Sequence, residues 1–128
     1  MKKDPRLYLA QVLERIDRIL EFTAEGKEAF FADVRTQDAV IRNFEVIGEA
    51  VKRIPDDYRA DHPAIPWREL AGLRDVLMHQ YEGVSLNEVW RMIEKDLQPL
   101  RQAIAAMLPP LEELERQIAE DEEPPESD

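Results

Sequence analysis

Apolar residues along this chain recur at steps of three and four, and this spacing constrains the fold more than any other feature of the sequence. Such spacing places apolar side chains on one face of an α-helix. Runs of β-branched residues are few, and no alternating segment is bounded by hairpin turns, so strands are not indicated. The 128 residues suit one domain with one core. We therefore predict an all-α fold, an up-and-down helical bundle of about five helices.

Start and stop signals divide the first half of the chain into three helices. Asp4 is a suitable cap for a first helix that begins at Pro5 and runs to about Thr23. Gly26 separates that helix from a short helical piece that carries two phenylalanines. A third helix is predicted to begin near Thr36 and to end before Pro55. Its apolar stripe consists of Val40, Ile41, Phe44, Ile47 and Val51.

The second half opens with three prolines between residues 55 and 66, which is loop composition. Pro66 suits the first position of a fourth helix, and Gly83 is the expected stop. The segment Ser85–Glu88 has the pattern of a capping box that opens a fifth helix. Pro99 is expected to kink that helix.

Two prolines at 109 and 110 are predicted to close a helical domain that spans residues 1–110, leaving an acidic segment at 111–128. The formal net charge is −11, and Glu112 to Asp128 contain nine acids and one base, so the body carries −11 − (−8) = −3. A nearly balanced body leaves nucleic acid open as a partner. The acidic segment is interpreted as a solvated, partly disordered end, in which Leu111 to Ile118 either packs or frays. Its alternative is a mimic of RNA that competes for a basic surface.

Several classes of function are excluded by missing residues. The chain has no cysteine, which rules out disulfides, thiolate metal sites and cysteine nucleophiles. No P-loop, dinucleotide fingerprint or nucleophile elbow is present. We expect no export signal and no membrane span, and therefore a cytoplasmic protein. His79 and Asp75, four residues apart, would supply only two metal ligands, so no metal or other cofactor is expected.

The segment Arg74–Tyr81 carries the side chains most suited to chemistry on a phosphate. Arg74 supplies a permanently charged fork that matches a phosphate. His79 can give or take a proton near neutrality. Tyr81 adds a hydroxyl that can be modified. Five residues at about 100° each put His79 about 140° around an ideal helix from Arg74, so the two do not share one face. The helix unwinds there, or the length of the arginine closes the gap, or the productive neighbours belong to two subunits.

Four segments in a fixed order carry a family resemblance: Arg42–Ala50, Pro66–Trp67, Arg74–Tyr81 and Asp96–Leu100. In this order the chain resembles a HEPN-domain toxin of the HepT type, the DUF86 family, over about residues 7–108. The arginine, four residues, histidine, any residue, tyrosine pattern is the most specific element of the match.

The resemblance implies a helical homodimer that cleaves RNA, preferably tRNA, without a metal. It implies Arg74 and His79 as the catalytic pair. It also implies a partner, a minimal nucleotidyltransferase (MNT) antitoxin that silences the toxin by adenylylating Tyr81. The family often has asparagine after the arginine, whereas this chain has Asp75, whose charge either orients Arg74 or lowers its affinity for phosphate.

Ribose-directed cleavage independently requires a base, an acid and a cation. One subunit has a single histidine in the motif and one other, His62, in a predicted loop. A two-fold homodimer would supply two copies of His79, so we predict an active site across a symmetric interface. Two alternatives remain open. In one, the protein is a non-catalytic helical subunit that presents nucleotide or substrate to a nucleotidyltransferase, and in the other it is a purely structural dimer.

Overall fold

The computed structural model describes residues 4–73, 77 and 85–122, and these residues form helices and connecting turns with no strand. The all-α prediction is thereby confirmed. The homodimer stays a prediction, as does the domain boundary at residue 110. The helices are α1 (Pro5–Phe22), α2 (Lys27–Ala32), α3 (Val34–Lys52), α4 (Asp56–Ala60), α5 (Trp67–Ala71), α6 (Leu86–Arg91), a π-helical turn (Met92–Asp96), α7 (Leu97–Met107) and α8 (Leu111–Glu122).

Helix α1 begins and ends where its sequence signals predict. The Asp4 carboxylate accepts the backbone N–H of Arg6 at 2.9 Å, and Pro5 is the first helical residue. Thr23 follows the last helical residue, and its hydroxyl donates to the Ile19 carbonyl at 2.7 Å. Gly26 then adopts φ 99°, a left-handed conformation that glycine tolerates without a steric penalty, and α2 begins at the next residue.

Helix α3 begins two residues earlier than predicted, because Asp33 caps it. The Asp33 carboxylate accepts the Arg35 backbone N–H at 3.0 Å and the Thr36 hydroxyl at 2.9 Å. This cap satisfies a donor that would otherwise be orphaned at the helix N-terminus. The prediction of a start near Thr36 overlooked Asp33, a residue type that favours the N-cap position.

The core forms where α1 and α3 pack side by side, and α5, α6 and α7 cover it. Apolar residues from the two long helices are almost completely excluded from solvent, as the helical spacing predicts. The fully buried members are Leu9, Val12, Ile16 and Ile19 of α1 and Val40, Ile47 and Val51 of α3. A polar contact also crosses this pair of helices: the Arg15 guanidinium donates to the amide oxygen of Asn43 at 3.3 Å.

The prediction of a loop between residues 55 and 66 is wrong for Asp56–Ala60, which form α4. Pro55 precedes this helix, and two aspartates in its first turn interact favourably with the helix dipole. Arg59 forms an ion pair with Asp56 one turn away. Proline and aspartate are typical of loops and equally typical of helix N-termini, and this double meaning explains the error.

Helices α6 and α7 form one continuous rod that is interrupted by the π-helical turn. Ser85 caps α6, as predicted, through a 3.3 Å bond from the Glu88 backbone N–H to its hydroxyl. The expected stop at Gly83 lies outside the described residues. The backbone N–H of Leu97 bonds to the Met92 carbonyl, five residues back. Pro99 has no N–H and its ring would clash with the carbonyl four residues earlier, so a wide turn just before it relieves that conflict.

Helix α8 lies in the acidic segment and packs on the body through two side chains. Leu114 is fully buried and Ile118 is nearly so. Arg6 of α1 reaches this helix, donating to the Gln117 side chain at 3.0 Å and lying 3.6 Å from the Asp121 carboxylate. Of the two outcomes foreseen for Leu111 to Ile118, the packed one is therefore observed.

Candidate functional site

The motif predicted to carry the chemistry falls in a part of the chain that the structure describes only at its edges and at Leu77. The predicted site residues Arg74, Asp75, His79 and Tyr81 lie outside the described residues. Leu73 precedes the motif, and Ser85 follows it as the cap of α6.

Helix α5 leads directly into the motif and is fixed at its start. The indole N–H of Trp67 donates to the His62 carbonyl at 2.9 Å, and the ring is 9% exposed. Leu70 is buried on the same helix, which packs against α3. Leu77, within the motif, is 5% exposed and belongs to the same core. The core thus anchors the chain both before the motif and inside it.

An apolar groove borders α5 on the side of the π-helical turn. It encloses about 420 Å³. Three exposed charged residues, Glu69, Lys95 and Asp96, lie at its rim. Such a surface can bury an apolar partner but supplies no proton donor or acceptor from its floor. The floor is made of Phe44, Ile47, Ile65, Leu70, Leu73, Met92, Leu97 and Leu100.

His62, the other histidine of the chain, forms structural contacts with Tyr58 and Trp67. Its ring stacks on Tyr58 with centroids 4.7 Å apart, and its Nδ1 lies 3.1 Å from the Tyr58 carbonyl. The His62 carbonyl accepts the Trp67 indole, as described above. Burial raises the pKa of the Tyr58 phenol. His62 therefore has a structural role, because its carbonyl binds Trp67 at the start of α5.

The described ranges contain no group of three or more histidine, cysteine, aspartate or glutamate side chains that could hold a metal ion. Within these ranges, also, none of the helices combines the length and the apolar character needed to cross a bilayer. Glu69 and Asp96 are the acidic side chains among the described residues that line the groove, and both are exposed.

Comparison with known proteins identifies relatives along most of the chain. It is 46% identical over 102 residues to the probable ribonuclease HepT of Thermococcus cleftensis, covering 79% of this chain and 93% of that protein. It is 41% identical over 113 residues to the putative RNase MJ0125 of Methanocaldococcus jannaschii, covering 88% and 97%. The gamma-glutamylcyclotransferase and putative RNase MJ0434 of the same organism is 42% identical over 113 residues, which are 88% of this chain but only 51% of that protein. No solved structure matches the chain.

A family model described as ribonuclease HepT-like matches residues 12–107. This range covers most of the chain from α1 to the end of α7 and stops before α8. The match confirms the family that the four sequence segments indicated. The chain belongs to the HepT-like ribonuclease family.

Proposed function

We propose that this protein is an endoribonuclease that needs no metal and acts as the toxin of a HEPN/MNT toxin–antitoxin pair. The observation that carries the proposal is the presence of the Arg74–Tyr81 motif, separated by two residues from the end of α5 along the sequence, in a chain of this family. Family membership supports the ribonuclease class. The tRNA preference, the toxin role and the partner rest on the motif and on the resemblance.

The proposed reaction breaks one phosphodiester bond with the ribose as internal nucleophile. A histidine acting as base takes the proton from the 2′-hydroxyl, and the 2′-oxygen attacks phosphorus. The bond from phosphorus to the 5′-oxygen breaks, and a second imidazolium gives its proton to that leaving oxygen. Arg74 stabilises the charge that develops on the phosphorane oxygens. The products are a 2′,3′-cyclic phosphate and a 5′-hydroxyl.

The requirement for two imidazoles favours a homodimer. Within one chain His62 is held by Tyr58 and accepts Trp67 through its carbonyl, so it is poorly suited to move to a substrate. A second copy of His79 from a two-fold related subunit would supply the missing group. One copy acts as base and the other as acid, and both Arg74 side chains face the phosphate.

Tyr81 is proposed as the point at which a nucleotidyltransferase partner silences the enzyme. Its phenol oxygen attacks the α-phosphorus of ATP, pyrophosphate leaves, and AMP stays attached to the ring. The added bulk and negative charge repel RNA from Arg74. Coexpression with the partner should therefore increase the mass of the protein by AMP units, and Tyr81→Phe should prevent the increase. A Tyr81→Phe protein that is still fully modified would contradict this assignment.

The nuclease is tested by incubating partner-free protein with total tRNA in EDTA and identifying the product ends. We expect cleavage that leaves cyclic phosphates and that Arg74→Ala and His79→Ala abolish. His62→Gln is the matched control, because it removes the other imidazole, and it should retain cleavage. Cleavage by His79→Ala at the wild-type rate would refute the mechanism. Absence of cleavage by protein with an unmodified Tyr81 would favour the non-catalytic partner of a nucleotidyltransferase.

A further inference from the structure

Arg15 is the most unusual cation among the residues that the structure describes. Its side chain is half-buried between α1 and α3, its Nε is buried without a hydrogen-bond partner, and its one bond goes to the neutral amide of Asn43. No described carboxylate lies within ion-pair distance of it, although the chain carries 28 acidic residues. A guanidinium left in this state has unused capacity to bind an anion.

The pairing of the other described arginines shows that Arg15 is part of a pattern. Seven of them have a carboxylate partner: Arg6, Arg18, Arg42, Arg59, Arg91, Arg101 and Arg116. Four have none among the described residues: Arg15, Arg35, Arg53 and Arg68. Three of these four belong to α1 or to α3 and its cap. The unpaired guanidinium groups are therefore concentrated on one pair of helices.

Helical geometry places two of these unpaired arginines, Arg35 and Arg53, in one row with the paired Arg42. Arg35, Arg42 and Arg53 are separated by seven and eleven residues, so at about 100° per residue they lie within roughly 20° of one another on α3. The row is about 27 Å long at about 1.5 Å per residue. On α1, Arg18 lies one turn from Arg15 and shares its face. The bond from Arg15 to Asn43 shows that this face of α1 borders α3.

We call these five residues the arginine seam: Arg15 and Arg18 of α1 with Arg35, Arg42 and Arg53 of α3 and its cap. Arg18 and Arg42 are the two members of the seam that have a carboxylate partner. Its exposed members reach solvent, since 66% of the Arg42 side chain and 46% of the Arg18 side chain are accessible. Phe22, on the same face of α1 seven residues after Arg15, is 47% exposed, which is unusual for a large apolar ring. Guanidinium groups interleaved with an exposed aromatic ring suit a phosphate backbone and its bases.

Acidic residues near the seam define what it can bind. Glu14 pairs with Arg18 at 2.7 Å and Glu45 with Arg42 at 3.4 Å, and Asp38 and Glu49 share the solvent side of α3. The seam is thus a series of separate cations and not a uniformly positive surface. Separate guanidinium forks suit phosphates at intervals along a strand, because each fork can form a bidentate pair with one phosphate.

We propose that the arginine seam binds the sugar–phosphate backbone of the RNA substrate and holds long RNA while the Arg74–Tyr81 motif cuts it. The proposal rests on the proposed ribonuclease function and assigns to that function a second surface. The seam residues are positioning residues. They act on the affinity for long RNA and not on the bond that breaks.

Binding is measured by fluorescence anisotropy of a labelled tRNA transcript with the His79→Ala protein, which leaves the RNA uncut. The test variant adds Arg35→Gln, Arg42→Gln and Arg53→Gln. The control variant adds Arg91→Gln, Arg101→Gln and Arg116→Gln, three arginines elsewhere that change the net charge equally. We expect the seam variant to lose about tenfold to a hundredfold in affinity near 0.1 M salt, and the slope of log affinity against log salt to fall by roughly 2 to 3. The control variant should lose much less.

Cleavage separates this inference from the proposed function. In an otherwise wild-type protein, the seam variant should raise KM for tRNA with little change in kcat, and should cut a dinucleoside monophosphate at the wild-type rate. Equal loss of tRNA affinity in the seam and control variants would overturn the inference and leave the nuclease intact. A seam variant that binds tRNA normally but loses binding of poly-glutamate would overturn it in favour of an acidic protein partner. Seam-dependent tRNA binding by a wild-type protein that cuts nothing would support the seam and refute the nuclease.

Discussion

Helices α1 and α3 and the C-terminal helix α8 are all amphipathic and highly charged, yet they are held to the molecule differently. Ile16 and Ile47, on α1 and α3, are completely buried in the main core. Among its described residues α8 buries only Leu114 and Ile118, and neither belongs to that core. Side chains that are packed on several sides contribute more free energy of burial than the side chains of a helix that contacts the body along one edge. The family match covers the first arrangement and ends before the second.

The same two regions differ in the use of their arginines. Arg116 of α8 has Glu120 at 2.9 Å and Glu113 at 3.9 Å, so its charge is compensated within its own helix. Arg15, Arg35 and Arg53 lack such partners among the described residues. The charge of Arg116 is thus compensated within α8, whereas α1 and α3 with its cap combine the main core with three guanidinium groups that have no carboxylate partner among the described residues. A region's contribution to stability and its availability to a ligand can therefore lie on opposite faces of the same helices.

The largest effect on stability is expected from a cavity between α1 and α3. Ile47 is completely buried and its side chain also forms part of the apolar groove floor. Ile47→Ala should lower the free energy of unfolding by about 2 to 5 kcal/mol, because it removes buried methyl groups and leaves a void. Urea unfolding followed by circular dichroism measures the change. Val34→Ala, at a position that is 65% exposed, is the control and should stay within about 0.5 kcal/mol. Equal losses of unfolding free energy in the two variants would show that Ile47 contributes no more to stability than an exposed residue.

A smaller effect is expected from the same kind of truncation in α8. Leu114 is fully buried, but Leu114→Ala can cost no more than the free energy that docks α8, which we place at about 1 to 2 kcal/mol. Amide hydrogen exchange should accelerate within residues 112–121 and remain unchanged in α1 and α3. Leu111→Ala, at a residue that is 60% exposed, is the matched control. Loss of protection throughout the bundle would show that α8 belongs to the main cooperative unit.

Much of the fold could be predicted because local signals agreed with burial. Asp4 and Ser85 cap the helices that their positions predict, and the apolar stripes became the core. Helix α4 was missed because proline and aspartate signal both loops and helix starts. The π-helical turn before Pro99 is a backbone adjustment for which sequence patterns predict only a kink.

Part of the candidate site could likewise be predicted from the sequence and part could not. The type and order of residues in the Arg74–Tyr81 motif identified the family without any coordinates. In the proposed homodimer the partner group of His79 would come from a second chain, and one sequence does not specify how two chains pair. The arginine seam was overlooked, although its recurrence at seven and eleven residues on α3 is a readable signal. The spacing alone does not distinguish Arg42, which has a carboxylate partner, from Arg35 and Arg53, which have none among the described residues.

The smallest effect concerns the link between the two regions, where Arg6 joins the start of α1 to α8. The Arg6 guanidinium donates to both carboxylate oxygens of Asp4, at 2.7 to 3.2 Å, and holds the pKa of that carboxyl below its usual range against the opposing effect of burial. A carboxyl whose pKa is lower in the folded state stabilises the fold above its unfolded pKa, about 3.9, and loses this contribution as the pH falls through its folded pKa.

Asp4→Asn keeps the cap but removes the charge, so it should lower the melting temperature slightly at neutral pH. The difference from wild type should shrink as the pH falls below about 4, and thermal melts of both proteins across that range measure it. Asp33→Asn is the comparison. The pKa of Asp33 is also lowered, chiefly by the Thr36 hydroxyl and to a smaller extent by the charge of Arg35, so its difference from wild type should shrink in the same direction at low pH. A difference between wild type and Asp4→Asn that stays constant with pH would show that the Arg6 link depends on the shape of the cap and not on its charge.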